Sequence, residues 1–146
     1  MVDIVDAATR SRMMAGIKGK NTVPELVVRR FLHAHGFRYR LHDKALPGRP
    51  DIVLPKYRTV IFVNGCFWHQ HSGCNKAAKP SNRKEFWQKK LSSNVDRDRR
   101  NITALTLAGW YCIQFWECEI GSTAKLHGLA AKIAANSKRL NLRGSK

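Results

Sequence analysis

The chain has 146 residues, with 27 Lys+Arg against 10 Asp+Glu, a formal charge of +17 with its six histidines neutral. At 43% hydrophobic and 25% charged residues it has enough apolar material for one packed domain, residues 1–146, which excludes a chain disordered by composition. No apolar run reaches the roughly 18 residues a bilayer span needs, and Met1 to Arg10 lacks a charged-then-apolar leader, so a cytoplasmic protein is expected.

So large a positive excess calls for a polyanionic partner, because neutralising phosphates releases counterions and drives binding. Nucleic acid fits best. An anionic membrane fits less well, since neither a basic amphipathic helix with an apolar face nor a lipidation motif is present. In a reducing cytosol Cys66, Cys74, Cys112 and Cys118 are buried thiols or metal ligands rather than disulfides.

In chain order, residues 1–20 form a basic arm, with Arg10, Arg12, Lys18 and Lys20 interleaved with Met13, Met14 and Ile17. A helix starts at Thr22, a capping hydroxyl to which Glu25 can reach back, with Pro24 tolerated in the first turn. Val27, Val28, Phe31 and Leu32 give it one apolar face and Gly36 ends it. Leu46-Pro47-Gly48-Arg49-Pro50 is a rigid loop leading into a strand, Asp51 to Leu54. After a turn over Pro55 to Arg58, Thr59 to Val63 is a second strand, too apolar for a wet face, and the two predict a hairpin in a covered sheet.

Ser81 to Ala108 is free of Pro and Gly and predicts one long helix stopped by Gly109. Its apolar stripe of Leu91, Val95, Ile102 and Leu105 is interrupted by Asp98, a carboxylate where leucine would be expected. Trp110 to Trp116 is a third strand, Thr123 to Ala135 a last helix, and residues 138–146 a basic tail.

The densest cluster follows the second strand: Asn64-Gly65-Cys66-Phe67-Trp68-His69-Gln70-His71-Ser72-Gly73-Cys74. Cys66, His71 and Cys74 lie close together, and Cys118 lies just past the end of the third strand. A sheet pairing those strands would assemble a closed Cys3His zinc site; Cys112, inside a strand, is read as an ordinary core thiol. His69 sits between ligands without being needed as one, so it is a proton-transfer group, a further metal candidate or a solvated histidine.

Asp51 is either turn chemistry after Pro50 or a ligand for a divalent cation at a sheet edge. Glu25 is either half of a capping box or an acid at the same site. Asp98, in its apolar stripe, must find a donor, and a core arginine and His69 are the candidates. Large aromatics in polar surroundings, Phe67, Trp68 and Trp87, either pack inside or wedge between base pairs, while Phe86 is expected to face inward. Arg97, Arg99 and Arg100 are phosphate contacts or a solvated helix face.

Taken together these residues resemble the very short patch repair (Vsr) endonucleases, bacterial enzymes that nick DNA at T:G mismatches left by deaminated 5-methylcytosine. The segments that carry the likeness are Ala8-Thr9-Arg10-Ser11 with Met14, Leu46 to Asp51, Val60-Ile61-Phe62, Gly65 to His69, Glu85-Phe86-Trp87, Asn94 to Arg100, and Trp116-Glu117-Cys118. The resemblance implies an α/β, restriction-endonuclease-like mixed sheet flanked by helices, with a structural zinc site.

It further implies that Asp51 and the main-chain carbonyl of Val63 bind Mg²⁺, that His69 is the general base oriented by Asp98, and that Glu25 lies near the metal. Zn²⁺ would be held by Cys66, His71, Cys74 and Cys118. DNA would be met by a wedge of Phe67, Trp68 and Trp87, by Met14 of the arm, and by Asn94, Arg97, Arg99 and Arg100. Many family members have histidine where this chain has Asn64, which can donate a hydrogen bond but cannot take on charge or transfer a proton, and the spacing from His71 to Cys74 is one residue longer than in the best-known member.

The expected activity is a Mg²⁺-dependent nick 5′ of the mismatched thymine, on double-stranded DNA, by a monomer at the bacterial nucleoid, with mismatch-repair proteins as candidate further partners. Two alternatives are a zinc-stapled protein that binds lesions without cutting, because of Asn64, and a nicking nuclease of broader mismatch specificity.

Overall fold

The computed structural model describes residues 22–144, with side chains as far as Lys138. The basic arm with Met14, and the side chains beyond Lys138 in the basic tail, therefore lie outside the described residues.

Helix α1 is Val23–Ala34. Thr22 Oγ1 accepts from the Glu25 backbone N–H at 3.3 Å, satisfying one of the donors a helix start leaves open. The Glu25 carboxylate lies against Arg29 and His42 instead of serving only the cap. Gly36, at φ 86°, supplies the left-handed turn after the last helical residues.

The sheet has four strands in the order β1 Arg40–Leu41, β2 Ile52–Leu54, β3 Thr59–Asn64 and β4 Tyr111–Trp116. β1 and β2 are antiparallel, β2 and β3 form the expected hairpin, and β3 and β4 run parallel. β1 was not anticipated, since two exposed residues are too short to show periodicity. A parallel pair needs a long crossover, and α2, Lys84–Leu107, provides it between β3 and β4.

Successive strand residues face opposite sides, and both sides are covered. Ile52, Leu54, Ile61 and Val63 pack with Val28 and Leu32 of α1 and with Leu129 and Ile133 of α3, Thr123–Gly144. Val53 and Val60 turn the other way, against Leu105 of α2. Helices on both faces explain why β3 has no wet side, and each such side chain taken fully out of water contributes about 1.5–3 kcal/mol.

The two later helices differ from their expected ends. α2 begins at Lys84 rather than Ser81, because Arg83 takes a left-handed φ of 56°. α3 continues past Ala135 to Gly144. Its polar continuation is anchored by Asn136, whose buried amide donates to the Tyr57 carbonyl at 2.8 Å and reaches Thr59 Oγ1 at 3.3 Å. Phe86, expected inside, is 45% exposed in the first turn of α2 with the Arg83 guanidinium over its ring at 4.2 Å, whereas Ile102, Leu105 and Thr106 further along the helix meet the sheet. Among the described residues no helix is long and apolar enough to cross a membrane.

Candidate active site

The ends of β3 and β4, the start of α1, the loop before β2 and one face of α2 enclose a cleft of about 920 Å³. The parallel register that pairs Asn64 with Trp116 puts Cys66 and Cys118, each two residues further on, at neighbouring strand ends.

There Cys66, His71, Cys74 and Cys118 bring one ligand atom each to within 4.8 Å of one another. His71 Nδ1 lies 3.6 Å from Cys66 Sγ and 3.4 Å from Cys118 Sγ. Those separations match the edge of about 3.5 Å expected between nitrogen and sulfur on a tetrahedral zinc with its usual bond lengths. The His71 ring stacks on Trp116, 8° from parallel at 4.1 Å, which fixes its orientation. Without a cation, burial foremost pushes the Cys66 thiol up to about 12, with the neighbouring thiols adding to it. Cys74 is moved the opposite way: desolvation is the largest single influence and raises it, but N–H groups of Lys76 and Ala77 and the other two thiols together bring it below its ordinary value. The donor set fits a structural zinc. Cys112 stays apart in β4, half-buried, its thiol raised by desolvation.

His69 does not join that cluster. Its N–H bonds to the Gly65 carbonyl, and its Nδ1 meets Asp98 Oδ2 at 2.6 Å, so the acid that interrupts the α2 stripe finds the loop histidine. The loop is held for this contact from two sides: Asn94 of α2 donates to the Trp68 carbonyl at 3.2 Å, and Glu117 accepts the Cys66 N–H at 3.0 Å. With Nδ1 engaged by a carboxylate, the favoured tautomer leaves Nε2 able to accept a proton.

On the other wall Glu25, His42 and Asp51 form a second group with ligand atoms within 4.8 Å. Glu25 Oε2 accepts from Arg29 at 2.9 Å and is 2.9 Å from His42 Nε2. Asp51 Oδ2 accepts the Val63 N–H at 2.7 Å. Burial, then the Glu25 charge, pushes the Asp51 carboxyl from 3.8 up to about 7, although the Val63 N–H and the charge of His69 pull it back. Two carboxylates crowded to this degree fit a divalent cation between them.

Asn64 is 3% exposed at the end of β3 and lines the same cleft. Its Nδ2 has no partner among the described residues, and a buried donor left so is expensive unless a ligand meets it. Arg97 lines the cleft with Asn94, whereas Arg99 and Arg100 are exposed on other faces of α2. Phe67, Trp68 and Trp87 form one half-buried cluster with ring centroids 5.1–6.0 Å apart. His42, Glu117 and Arg49 are among the cleft residues that the sequence reading gave no role at the site. His42 and Glu117 carry no local signal, and Arg49 was hidden in a loop read only for its turn residues, although its φ of 47° marks a strained position beside Asp51.

A strongly basic α/β domain whose cleft sets crowded carboxylates and an oriented histidine beside exposed cations has the make-up of a nuclease. Residues 2–76 match the family described as DNA mismatch endonuclease Vsr. The type II nicking enzyme V.NmeAIP of Neisseria meningitidis is 48% identical over 124 residues, 85% of this chain and 88% of that one. V.XorIIP of Xanthomonas oryzae, another type II nicking enzyme, is 44% identical over 126 residues, covering 86% of this chain and 92% of its own. The DNA mismatch endonuclease Vsr of Escherichia coli K12 is also 44% identical over 126 residues, 86% of this chain and 80% of its own. The chain belongs to the Vsr family of DNA endonucleases.

Proposed function

We propose that this protein nicks one strand of duplex DNA 5′ of the thymine in a T:G mismatch, using a divalent cation, on a restriction-endonuclease-like fold. The observation that carries the reading is the His69–Asp98 pair, 2.6 Å apart, in one cleft with the Glu25 and Asp51 carboxylates. Asp98 holds His69 in the tautomer whose Nε2 takes a proton from the attacking water. Asn64 donates its unpartnered N–H to a phosphate oxygen, and Arg97 with Asn94 positions the strand. The water oxygen bonds to phosphorus as the bond to the 3′ oxygen breaks, and the 3′ oxygen takes a proton from solvent, leaving a 5′-phosphate and a 3′-hydroxyl.

Mg²⁺ held by Asp51, the Val63 carbonyl and the nearby Glu25 would supply positive charge against the phosphate when bound. A strand residue turns its N–H and C=O to the same side, so the bond from Val63 N–H to Asp51 supports that carbonyl as the second donor. Zn²⁺ on Cys66, His71, Cys74 and Cys118 would leave no open coordination position and would only fix the loop carrying His69. Phe67, Trp68 and Trp87 enter where a wobble pair separates cheaply, with Met14 of the arm reaching the other groove. Action as a monomer in the bacterial cytoplasm, with mismatch-repair proteins as further partners, belongs to the same reading.

A second reading, binding without cutting, is favoured by one observation: the Asn64 amide can donate a hydrogen bond but can neither take on charge nor relay a proton. End-labelled T:G, other mismatched and matched duplexes incubated with the protein and Mg²⁺ separate these readings. The expected result is a nick in the T:G duplex alone, lost in Asp51→Ala. Binding of T:G DNA with no nick would establish the second reading, and equal nicking of other mismatches would broaden the substrate.

A further inference from the structure

His42 is the one member of the acidic wall that is not a carboxylate, and the fold brings it there on purpose-built backbone. Leu41 pairs with Ile52 across β1 and β2, so His42 falls opposite Asp51 and its N–H donates to the Asp51 carbonyl at 3.3 Å. Its φ of 46° turns the side chain out of the strand's usual alternation. Nε2 then lies 2.9 Å from Glu25 Oε2 and 3.9 Å from Asp51 Oδ1, with the Glu25 and His42 side chains only 3% and 11% exposed. Neighbouring ligand atoms on one six-coordinate cation with bonds of about 2.1 Å are about 3 Å apart, so the three side chains have the spacing of a shared ion. A separate observation also points to a ligand in this cleft: the buried Asn64 Nδ2, which has no partner among the described residues.

We infer that His42 is a third, nitrogen ligand of the cation site and that the site takes Mn²⁺ in preference to Mg²⁺. The inference rests on the proposed cation role of Asp51 and Glu25 and adds to it the identity of the ion. Carboxylates and water serve hard ions such as Mg²⁺ and Ca²⁺ without much discrimination. An imidazole is a softer donor that first-row transition ions bind and Mg²⁺ does not seek, so it raises affinity for one class only. The competing role for His42 is a donor, its Nε2–H pointing at Glu25 Oε2 beside Arg29 and touching no cation. That role predicts no effect on the choice of ion.

The full-length chain with its zinc cluster loaded is titrated with MnCl2, following loss of the free-ion electron paramagnetic resonance signal, and Mg²⁺ is measured by competition. Wild type is expected to hold Mn²⁺ at least about tenfold more tightly than Mg²⁺, with that ratio falling to within about threefold of unity in His42→Ala, mainly through loss of Mn²⁺ affinity. His42→Gln, which keeps a donor near Glu25 and offers only an oxygen ligand, should retain Mg²⁺ binding and lose the preference; it also serves if the alanine variant does not melt as a folded protein. A Mn²⁺ to Mg²⁺ ratio unchanged in His42→Gln overturns the ligand role and leaves His42 a donor to Glu25. Binding that is absent, or unaltered in Asp51→Ala, overturns the cation site itself and the inference with it.

Discussion

At Asp51 the carboxyl pKa rises from 3.8 to about 7, first through burial and then through the charge of Glu25. The folded protein therefore binds this proton more tightly than the unfolded chain does. The native state suffers no penalty below about pH 4, and stability is lost as pH rises from about 4 to about 7, by an amount on the order of 4 kcal/mol if the unfolded carboxyl titrates normally. Thermal melts of cation-free protein should show that decline in wild type and not in Asp51→Asn, making the variant the more stable one at pH 8. Added Mg²⁺ should raise the wild-type melting temperature more at pH 8 than at pH 5, since protons compete for the same carboxylate. A melting curve with the same pH dependence in both proteins would remove Asp51 as the source. None of this could be read from Asp51 alone, because an aspartate after proline is ordinary turn chemistry; the shift comes from burial and then from Glu25, both supplied by other elements of the fold.

Two strands and a loop do for His69 what no single element could. The register of β3 and β4 sets Cys66 beside Cys118, and the loop between Cys66 and Cys74 carries His69 to Asp98 on α2. Removing one corner of the cluster should loosen the loop without unfolding the sheet core. Cys118→Ser is expected to release zinc to a chromogenic chelator, to lower the melting temperature by about 5 °C or more, and to slow nicking far more than it weakens DNA binding. Cys112→Ser, at a thiol outside the cluster, should keep its metal. Retention of zinc by Cys118→Ser would take Cys118 out of the site. At this scale the sequence was informative where a periodic pattern was long: α1, β2, β3, α2 and β4 are all found within a few residues of their expected spans. The continuation of α3 was not legible, since Asn136 earns its helical place only by reaching Tyr57 and Thr59 on a distant strand.

Over the whole molecule the +17 charge makes binding to DNA salt-dependent, and the slope of log affinity against log salt counts the phosphates engaged. Arg97 faces the cleft, whereas Lys132 lies on α3, which packs on the opposite face of the sheet from α2. Arg97→Ala should therefore make the slope shallower by about 1, while Lys132→Ala leaves it unchanged. Equal effects would mean that binding is a matter of total charge rather than of this face.

The sequence by itself determined the class of partner, the order of most elements and the cluster around His69, because charge, period and ligand spacing are local properties. It also marked Asp98 as an acid in need of a donor, with a core arginine and His69 as the candidates. Only the tertiary structure decided which donor meets that acid, that the Glu25 carboxylate meets His42 and Arg29, that Phe86 faces solvent, and that the buried Asn64 Nδ2 has no partner among the described residues. The physical reason is the same in each case. Such contacts join residues far apart in the chain, and their energies depend on burial and on neighbours that exist only once both faces of the sheet are covered.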